Sequence, residues 1–392
     1  MLTFQGKTKA SVMIDEIDDT TRAQIIKFTN HPAFNEDMII MADCHAGKGS
    51  VIGYTRKLEH NIIPNIVGVD LGCGVRVVKF AKFNISSINF PHFDSNVKRI
   101  PMGNKSNNRN TLIEMDKDED LYKEICKRIC KGNQWLDYYQ KIAKGIGSIG
   151  SGNHFLELDV DSEGYLYAVV HSGSRNFGKC VADFYQKMAV DFCKQMHIDI
   201  DPEETYLDLA YGGQEYIEAM KVCQKYATLN RKHIMQNIIY YFHKYHNIDI
   251  IDEFECIHNY INFEDNIIRK GAISAHAGEK VIIPLTMKDG IILGTGKENP
   301  LFNYSAPHGA GRLMSRNEAR QTLNVEEFKE SMKDIYSSTV NEKTLDEAPN
   351  AYKPAQMIID AIKDTVDIKQ IIKPIYNIKS EEENSWRKKK KV

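Results

Sequence analysis

The stretch MIIMADCHAGKGSVIGYT at residues 38–55, followed by IVGVDLGCGVRVVKF at residues 66–80, decides the fold that we predict. In both segments short apolar runs alternate with glycines, a pattern typical of buried strands joined by tight turns. The same pattern returns over residues 145–170 and 256–316. The sequence therefore predicts β-sheet in three separate parts of the chain.

Helical patterns fill the intervals between these strand-rich parts. The strongest covers residues 214–245, where apolar side chains recur at spacings of three and four residues. Shorter helices are predicted over residues 20–30, 116–143, 176–196, 325–335 and 355–362, and a loop over residues 86–110. We therefore predict an α+β fold, in which a single large domain of mixed β-sheets spans residues 1–379 and is covered by long helices. Residues 380–392 are predicted to form a charged, disordered tail.

Charge and composition exclude several broad classes of protein. The formal net charge is −2, so a polyanion would have to bind in a local groove rather than to a generally basic surface. No stretch approaches the roughly 20 apolar residues of a membrane-spanning helix, and the N-terminal residues lack the apolar centre of a secretory signal. The eight cysteines are scattered over the chain, which argues against a disulfide scaffold and favours a reducing, cytoplasmic compartment.

Three short segments match parts of nucleotide-binding motifs but lack the neighbouring residues or elements that those motifs require. Residues 145–150, GIGSIG, have the glycine spacing of a dinucleotide-binding loop, but a predicted helix precedes them and a predicted strand follows, the reverse of what that loop requires. Residues 6–8, GKT, lack the upstream glycine of a P-loop, and residues 288–290, KDG, lack the spacer of the lysine-nucleophile ligases. A covalently bound nucleotide is therefore not expected on a lysine.

Four histidines share one kind of position, at a strand end or turn beside small residues. They are His154 in GSGNHFLE, His171 in VVHSGSR, His258 in CIHNYI and His308 in SAPHGAGR. A single histidine after an apolar strand is more often a hydrogen-bonded core residue than a ligand. Four in this setting, together with Asp70 and Cys73 in VGVDLGCGV, favour a metal site at strand ends in which glycines leave room for the side chains.

These ligand types suit a divalent transition metal. Neutral imidazoles and a thiolate bind zinc, manganese, iron or cobalt, and a carboxylate adds a hard donor. Asp70 and Cys73 stand close together in a turn, so both can face one ion, and a thiolate can bridge two ions about 4 Å apart. The sequence leaves the identity of the metal open. His45 is a further candidate, either supporting the site or structural, and the role of His276 stays open.

Two arginines indicate an anionic substrate. Arg175 follows His171 by four residues, and Arg312 follows His308 by four. A guanidinium group binds phosphate through two parallel hydrogen bonds, and glycine turns such as those beside His154 and His308 offer backbone N–H groups to phosphate oxygens. A phosphate-containing substrate is therefore expected near the histidines.

Six segments, taken in chain order, resemble the RtcB RNA-splicing ligases. They are DCHAGKGSVIG, PNIVGVDLGCGV, GSGNHFLE, HSGSRNFG, HNYI and SAPHGAGRLMSR. The resemblance runs from about residue 43 to residue 379. It implies a GTP- and manganese-dependent ligase that joins an RNA 3′-phosphate or 2′,3′-cyclic phosphate end to a 5′-hydroxyl end, in tRNA splicing or RNA repair. RNA and GTP are the implied partners, and the need for an archease-type activator stays open.

The resemblance also implies a ligand set for two manganese ions. One ion would be bound by Asp70, Cys73 and His154. The other would be bound by Cys73, His171 and His258, so that the thiolate of Cys73 serves both.

The nucleophile and the nucleotide pocket follow from the same resemblance. His308 would attack the α-phosphate of GTP and carry GMP. Asp43, Arg175 and Arg312 would handle substrate phosphates. The implied guanylate pocket consists of Asn153, His154, Phe155, Leu156, Glu157, Asn259, Pro284, Leu285, Thr286, Met287, His308, Gly309, Ala310, Gly311, Tyr352 and Lys379.

One position departs from the family pattern. Ile291 stands where the family often has serine, and the lost hydroxyl would remove a hydrogen bond to the nucleotide worth about 0.5–1.5 kcal/mol. Two other functions stay open: a metal-dependent phosphoesterase without a covalent nucleotide, and a non-catalytic RNA-binding paralogue. His308 with its implied pocket argues against the first, and the retained metal ligands argue against the second.

Overall fold

A computed structural model describes residues 1–108 and 119–381. Of the predicted tail only Ser380 and Glu381 fall within these ranges, so the prediction of disorder for the other tail residues lies outside them. The described part of the chain has the predicted α+β fold. None of its helices combines the length and the apolar character that crossing a membrane requires.

The strands form two large sheets and two small ones. The six-stranded sheet has the order β1 (Leu2–Gln5), β2 (Lys9–Val12), β3 (Met38–His45), β4 (Ile52–Lys57), β12 (Ile267–Lys270), β11 (Asn259–Asn262). The seven-stranded sheet has the order β10 (Ile250–Ile257), β6 (Gly74–Phe80), β8 (Leu166–Ser172), β7 (Phe155–Val160), β17 (Val366–Lys379), β15 (Ile291–Gly296), β14 (Lys280–Pro284). The small sheets pair β13 (Ala272–Ser274) with β16 (Ser305–Pro307) and β5 (Asn61–Ile62) with β9 (Leu207–Asp208). The predicted strand-rich parts are thus confirmed.

The α-helices lie between and around these sheets. In the described ranges they are α1 (Asp19–Thr29), α2 (Pro64–Val67), α3 (Phe90–Val97), α4 (Glu119–Ile129), α5 (Gln134–Gly145), α6 (Arg175–Gln195), α7 (Gln214–His246), α8 (Arg316–Thr322), α9 (Val325–Ser331) and α10 (Ala355–Ala361). The long helix predicted over residues 214–245 is confirmed as α7. The GIGSIG segment follows α5 and precedes β7, as its context in the sequence indicated.

Two helix predictions need correction. The predicted loop at residues 86–110 contains α3, whose first turn is capped because the side chain of Asn89 accepts a hydrogen bond from the backbone N–H of His92. Phe93 and Val97, four residues apart, bury one face of this helix. Residues 116–118 of the helix predicted over residues 116–143 lie outside the described ranges, and the rest of it forms two helices, α4 and α5, separated by a turn in which Gly132 has a φ of 55°. Such short patterns are too brief to show a clear helical period.

The seven-stranded sheet separates two hydrophobic cores. Leu156 and Leu158 of β7 lie in one core, with apolar residues of β6, β8 and β17. Phe155 of β7, together with Val75 and Val77 of β6, belongs to the other. This alternation follows from the two-residue period of a strand. Helix α7 has 33 residues, a length of about 50 Å, and it contributes side chains to both cores.

Arg231 of α7 forms hydrogen bonds with the chain segments next to Cys73 and His171. Its side chain is fully buried. Nη1 donates to the carbonyl oxygens of Gly72 at 2.8 Å and Ser172 at 2.9 Å, and Nε donates to Glu255 at 3.1 Å. Burial opposes ionisation of Glu255, but the charge of Arg231 outweighs it and lowers the pKa of this carboxyl. One side chain therefore holds the ends of β6 and β8 in place.

Replacing Arg231 by leucine is expected to destabilise the fold by about 3–5 kcal/mol, because it leaves the carbonyl groups of Gly72 and Ser172 without this donor and removes a buried cation from Glu255, which keeps Arg76 and Thr228. The free energy of unfolding in urea measures this change. Gln236→Leu provides a control, since Gln236 lies exposed on the same helix and should change stability by less than about 0.5 kcal/mol. A loss below about 1 kcal/mol in Arg231→Leu would contradict the tethering role.

Candidate metal and nucleotide site

Five predicted ligands form two groups that share one sulfur atom. Cys73, His171 and His258 form one group, and Asp70, Cys73 and His154 form the other; within each group the ligand atoms lie within 4.8 Å of one another. The order of the seven-stranded sheet explains the convergence. Cys73 precedes β6, His258 follows β10, His171 lies near the end of β8, and His154 precedes β7. Because these four neighbouring strands are antiparallel, all these positions fall at one edge of the sheet.

The spacing of the donor atoms suits metal ions. Sγ of Cys73 lies 3.3 Å from Nε2 of His154 and 3.3 Å from Nε2 of His171. Nε2 of His171 lies 3.3 Å from Nε2 of His258, and Oδ2 of Asp70 lies 3.1 Å from Nε2 of His154. Nitrogen and sulfur donors bound about 2.0–2.3 Å from one tetrahedral ion are separated by roughly 3.3–3.8 Å. The donor set therefore fits divalent metal ions with Cys73 shared between them.

Neighbouring groups orient these ligands. Oδ1 of Asp70 accepts hydrogen bonds from the backbone N–H of Ser174 at 2.9 Å and from its hydroxyl at 3.1 Å. Nδ1 of His171 lies 3.1 Å from the carbonyl oxygen of Asn153, so Nδ1 carries the proton and Nε2 presents its lone pair. Burial lowers the pKa of His171 and of His258. Both imidazoles are therefore neutral, the state that binds a metal.

The pKa of Asp70 also favours metal binding. Burial opposes ionisation of this carboxyl, but its hydrogen bond to His154 and the charges of His154 and Arg175 outweigh burial and lower the pKa to about 2. Asp70 is therefore a carboxylate at neutral pH. Burial raises the pKa of the Cys73 thiol, so the thiolate depends on a nearby cation to form.

His308 is held by the buried carboxylate of Asp43. Oδ2 of Asp43 accepts from Nδ1 of His308 at 2.5 Å and from its backbone N–H at 3.2 Å. Asp43 has no exposed surface. The rings of His308 and His258 lie 4.6 Å apart between centroids, which places His308 beside the metal-ligand groups. With Nδ1–H held in this way, Nε2 keeps a free lone pair and can act as a nucleophile.

Two glycines make room for this pair, as the sequence led us to expect. A Cβ atom at Gly271 would lie 3.2 Å from Cε1 of His308, and one at Gly53 would lie 2.9 Å from Oδ1 of Asp43. Both residues also have positive φ angles, 62° and 80°, which favour glycine. Any larger residue would push against the imidazole or its carboxylate partner.

A pocket of about 290 Å³ opens beside these groups and takes its lining from both large sheets. Besides the five metal-ligand residues, the predicted residues that line it are Asn153, Phe155, Glu157, Asn259, Pro284, Leu285, Thr286, Met287, His308, Gly309, Ala310, Gly311, Arg312, Tyr352 and Lys379. The lining also contains His45, Ile52, Val75, Gly271, Gly290, Ile291, Arg316, Glu347 and Asn377. The structure thus brings nearly all the predicted site residues into one cavity.

An ionic network forms one wall of the pocket. Oε2 of Glu347 accepts hydrogen bonds from Nζ of Lys379 at 2.9 Å and from the hydroxyl of Tyr352 at 2.7 Å. Arg316 also pairs with Glu347, and Nη1 of Arg312 lies 3.4 Å from the same carboxylate. Burial opposes the ionisation of Glu347, but the charges of Lys379, Arg316 and Arg312 outweigh it and lower its pKa. Glu347 therefore positions three cationic side chains beside the cavity.

A second acidic group lies on β7. Oε2 of Glu157 accepts a hydrogen bond from Nδ2 of Asn377, its cross-strand partner on β17. Asp159, two residues further along β7, is fully buried, and neither of its carboxylate oxygens has a hydrogen-bond donor within the described ranges. Burial raises the pKa of both carboxyl groups, and the two interact with each other. A proton held between them would leave Glu157 as an acceptor facing the pocket.

Three predicted residues have contacts that differ from their predicted roles. Leu156 faces the core on the other side of β7, so its side chain does not line the pocket. Arg175 lies outside that lining, and its guanidinium donates to the hydroxyl of Ser148 and the carbonyl of Gly103. The carboxylate of Asp43 is fully buried and accepts hydrogen bonds from His308. The sequence could not show which way these side chains face.

Three polar residues of the pocket lining were missed by the sequence predictions. Asn377 precedes Lys379 by two residues in the same strand, so the strand period could have identified it as a neighbour on the same face. Glu347 belongs to a short helical segment without any motif, and no local signal indicates it. Arg316 ends the segment SAPHGAGRLMSR, so its place four residues after Arg312 could have indicated it. His45, which was left open, lines the pocket with Nδ1 2.9 Å from the carbonyl oxygen of Asp43.

The remaining open histidine lies elsewhere. Nε2 of His276 lies 3.0 Å from Oδ2 of Asp265, and His276 is absent from the pocket lining. Its contact is therefore a hydrogen bond outside the pocket, as expected for a structural residue.

Comparison with known proteins identifies the family. The family described as tRNA-splicing ligase RtcB matches residues 24–380. The RNA-splicing ligase RtcB of Escherichia coli strain K12 is 27% identical, covering 93% of this chain and 95% of its own length. The tRNA-splicing ligase RtcB of Aeropyrum pernix is 28% identical over 82% of each chain, and the RNA-splicing ligase RtcB homolog 1 of Entamoeba histolytica is 25% identical over 87% of this chain and 80% of its own. The two ligand groups and the hydrogen bond between Asp43 and His308 agree with this match. Because the match covers most of its length, the chain belongs to the RtcB family.

Proposed function

We propose that this protein is a GTP- and manganese-dependent RNA ligase that joins RNA 3′-phosphate or 2′,3′-cyclic phosphate ends to 5′-hydroxyl ends. The observation that carries the proposal is His308, held by Asp43 within the pocket and beside the two ligand groups. A hydrolase would need the metal ligands alone. A buried carboxylate that frees Nε2 of a pocket histidine instead favours a covalent nucleotide intermediate.

Three group transfers account for ligation. Nε2 of His308 attacks the α-phosphorus of GTP, a P–N bond forms, and pyrophosphate leaves with the electrons of the broken P–O bond. An oxygen of the RNA 3′-phosphate then attacks the same phosphorus, and the P–N bond breaks to return His308 to its neutral form. Finally the RNA 5′-hydroxyl attacks the 3′-phosphorus, a phosphodiester forms, and GMP leaves. A 2′,3′-cyclic end would first be opened by water to a 3′-phosphate.

The described residues have distinct tasks in the first step. Asp43 accepts the Nδ1–H hydrogen bond and stabilises the positive charge that the imidazole gains on attack. Arg312 and Arg316 line the pocket as cations for the phosphate groups. Metal ions held by the two ligand groups would supply positive charge to the transferring phosphate and to its leaving group. Manganese is proposed from the family resemblance, since the donors alone also suit zinc.

The pocket contains groups that complement guanine. Guanine offers N–H donors at N1 and N2 and an acceptor at O6, whereas adenine presents a donor at N6. The carboxyl group of Glu157 can accept from the two N–H donors, and the ammonium group of Lys379 can donate to O6; both line the pocket. This pairing supports GTP as the nucleotide. Ile291 adds a buried apolar side chain to the same wall.

We also propose that residues 1–379 form one ligase domain. The larger core contains residues from Ala10 at one end of the chain to Ile372 near the other. A separately folding half would leave that core incomplete.

Covalent labelling tests the proposed function. Protein incubated with α-³²P-GTP and manganese, then denatured, is expected to carry label that is stable in alkali and labile in acid, as a phosphoramidate is. ATP should give at most a few per cent of that label, and removal of metal by EDTA should abolish it. Absence of label from folded, metal-loaded protein, also after addition of an archease-type activator, would refute the covalent mechanism. Metal-dependent release of phosphate without label would instead support a phosphoesterase.

A further inference from the structure

Two adjoining grooves lie outside the nucleotide pocket, on the side of α3 and the C-terminal half of α7. The first, called here the tyrosine cleft, has a volume of about 260 Å³, and its lining includes Asn96, Arg99, Asn107, Tyr240, Lys244 and Tyr245. The second, called here the lysine groove, has a volume of about 560 Å³, and its lining includes Lys98, Arg99, Lys105, Lys343, Lys379 and Glu381. Arg99, Ile100 and Pro101 line both, so the two grooves adjoin at this segment.

The charge of these grooves contrasts with that of the whole chain. The protein carries a formal net charge of −2, yet Arg99, Lys105, Lys244 and Lys343 are exposed in the two grooves. Within residues 1–108 and 119–381 none of these four forms an ion pair with a carboxylate. Glu381 is the acidic residue of the lysine groove. The surface therefore has an excess of unneutralised positive charge that suits a polyanion.

The tyrosine cleft offers flat aromatic surfaces. The side chains of Tyr240 and Tyr245 are 63% and 47% exposed, unusually high values for large aromatic residues. Nζ of Lys244 lies between them, 5.6 Å from one ring centroid and 5.2 Å from the other. The ring of Tyr245 is held in place by His92 and Tyr241, at centroid distances of 4.8 and 4.9 Å. Exposed rings interleaved with cations are the pattern on which single-stranded nucleic acid stacks its bases.

The lysine groove adjoins the nucleotide pocket at one residue. Lys379 lines both the lysine groove and the nucleotide pocket. Hydrogen bonds join the groove segment to the one that precedes His154: the backbone N–H of Ile149 donates to the carbonyl oxygen of Pro101 at 2.8 Å, and that of Gly103 donates to the carbonyl oxygen of Ile149 at 2.9 Å. An RNA strand lying along the lysine groove would therefore pass Lys379, which also lines the pocket that contains His308.

We propose that the lysine groove and the tyrosine cleft together bind a single-stranded segment of the RNA substrate, with phosphates along Arg99, Lys105 and Lys343 and bases stacked on Tyr240 and Tyr245. This inference rests on the proposed function, because it takes RNA as the substrate. It assigns the surface to RNA rather than to an acidic protein, since an acidic protein would have no need of exposed rings beside the cations.

Charge reversal tests the phosphate contacts. Binding of a fluorescein-labelled single-stranded RNA with a 3′-phosphate is measured by anisotropy without GTP, so that no chemistry occurs. The triple variant Arg99→Glu/Lys105→Glu/Lys343→Glu is expected to bind at least about thirtyfold more weakly, and its plot of log affinity against log salt should be shallower by about 2. The control Lys9→Glu/Lys57→Glu/Lys187→Glu makes the same change in net charge at exposed lysines outside both grooves and should stay within threefold of wild type.

Removal of the rings tests base stacking separately. Tyr240→Ala/Tyr245→Ala is expected to weaken RNA binding about tenfold or more without changing the salt dependence. Tyr211→Ala is the matched control, because Tyr211 is 70% exposed and lies outside both grooves. Poly-glutamate should compete at least about a hundredfold less well than unlabelled poly-uridine. Unchanged RNA affinity in both groove variants, or equal competition by poly-glutamate, would overturn the proposal.

The covalent labelling of His308 distinguishes this proposal from the proposed function. The groove variants should label with GTP at the wild-type rate, because their substitutions lie outside the nucleotide pocket. Wild-type protein that binds RNA through the grooves but never labels would refute the covalent mechanism and leave the RNA-binding surface in place.

Discussion

The variant His308→Ala is expected to lose all covalent labelling with GTP and to lose ligation by at least about a thousandfold, since the nucleophile of the first step is removed. Its metal content should stay at the wild-type value, because His308 belongs to neither ligand group. Labelling with α-³²P-GTP, ligation of RNA and metal analysis of the same preparation measure the three quantities. His276→Ala serves as a control, since this histidine lies outside the pocket lining and should leave all three unchanged.

Asp43→Asn gives a sharper test of the same step. The amide keeps the size of the carboxylate but removes the charge that stabilises the imidazolium, so labelling should slow by about a hundredfold or more and still reach completion. Persistent label in His308→Ala would show that another residue is the nucleophile. An Asp43→Asn protein that labels at the wild-type rate would show that Asp43 has only a structural role.

Replacing Cys73 by alanine should have the largest effect on metal binding, because its sulfur belongs to both ligand groups. We expect wild-type protein to bind two manganese ions per chain and Cys73→Ala to bind each of them at least about a hundredfold more weakly, more than the loss typical of a supporting residue. Equilibrium dialysis against manganese measures the number of ions and their affinities. Ligation should fall below detection in the same variant.

Single-group variants make this prediction specific. His258→Ala should weaken the binding of one ion and Asp70→Asn the binding of the other, since each residue belongs to one group. Cys223→Ala is a matched control: this thiol is also fully buried but lies in neither group. Two tightly bound ions in Cys73→Ala would contradict the shared ligand. Equal loss of both ions in His258→Ala would mean that the groups do not bind separate ions.

Most of the fold could be predicted from patterns within a few residues of each other. The 33 residues of α7 show a helical period that repeats many times, so even an imperfect pattern is clear. The glycine-punctuated strands around Asp70 and Cys73 were equally distinct. Helix α3 was missed because it has only eight residues and buries three of them. Its capping residue, Asn89, looks like an ordinary loop residue until the turn that it begins is known.

The sequence could predict which residues belong to the candidate site, but it could predict only some of the contacts between them. The residue types and glycine-rich settings of His154, His171 and His308 indicated chemistry, and the resemblance supplied roles. The partner of His308 could not be identified in this way, because Asp43 lies 265 residues away in the chain. Glu347 likewise belongs to no motif and acquires its role only through the cations folded around it.

The amino-acid sequence was enough to predict the α+β class, the long helix, three strand-rich parts of the chain and the candidate metal-ligand residues. These features can be predicted because the spacing of apolar residues and the positions of glycines reflect the backbone conformation of nearby residues. Only long-range folding shows that Cys73 belongs to both ligand groups, that Asp43 orients His308, that Leu156 faces the core, and that Lys379 lines both the lysine groove and the nucleotide pocket. Such relations depend on the order of strands in a sheet and on long-range packing, which bring together residues that no local pattern connects.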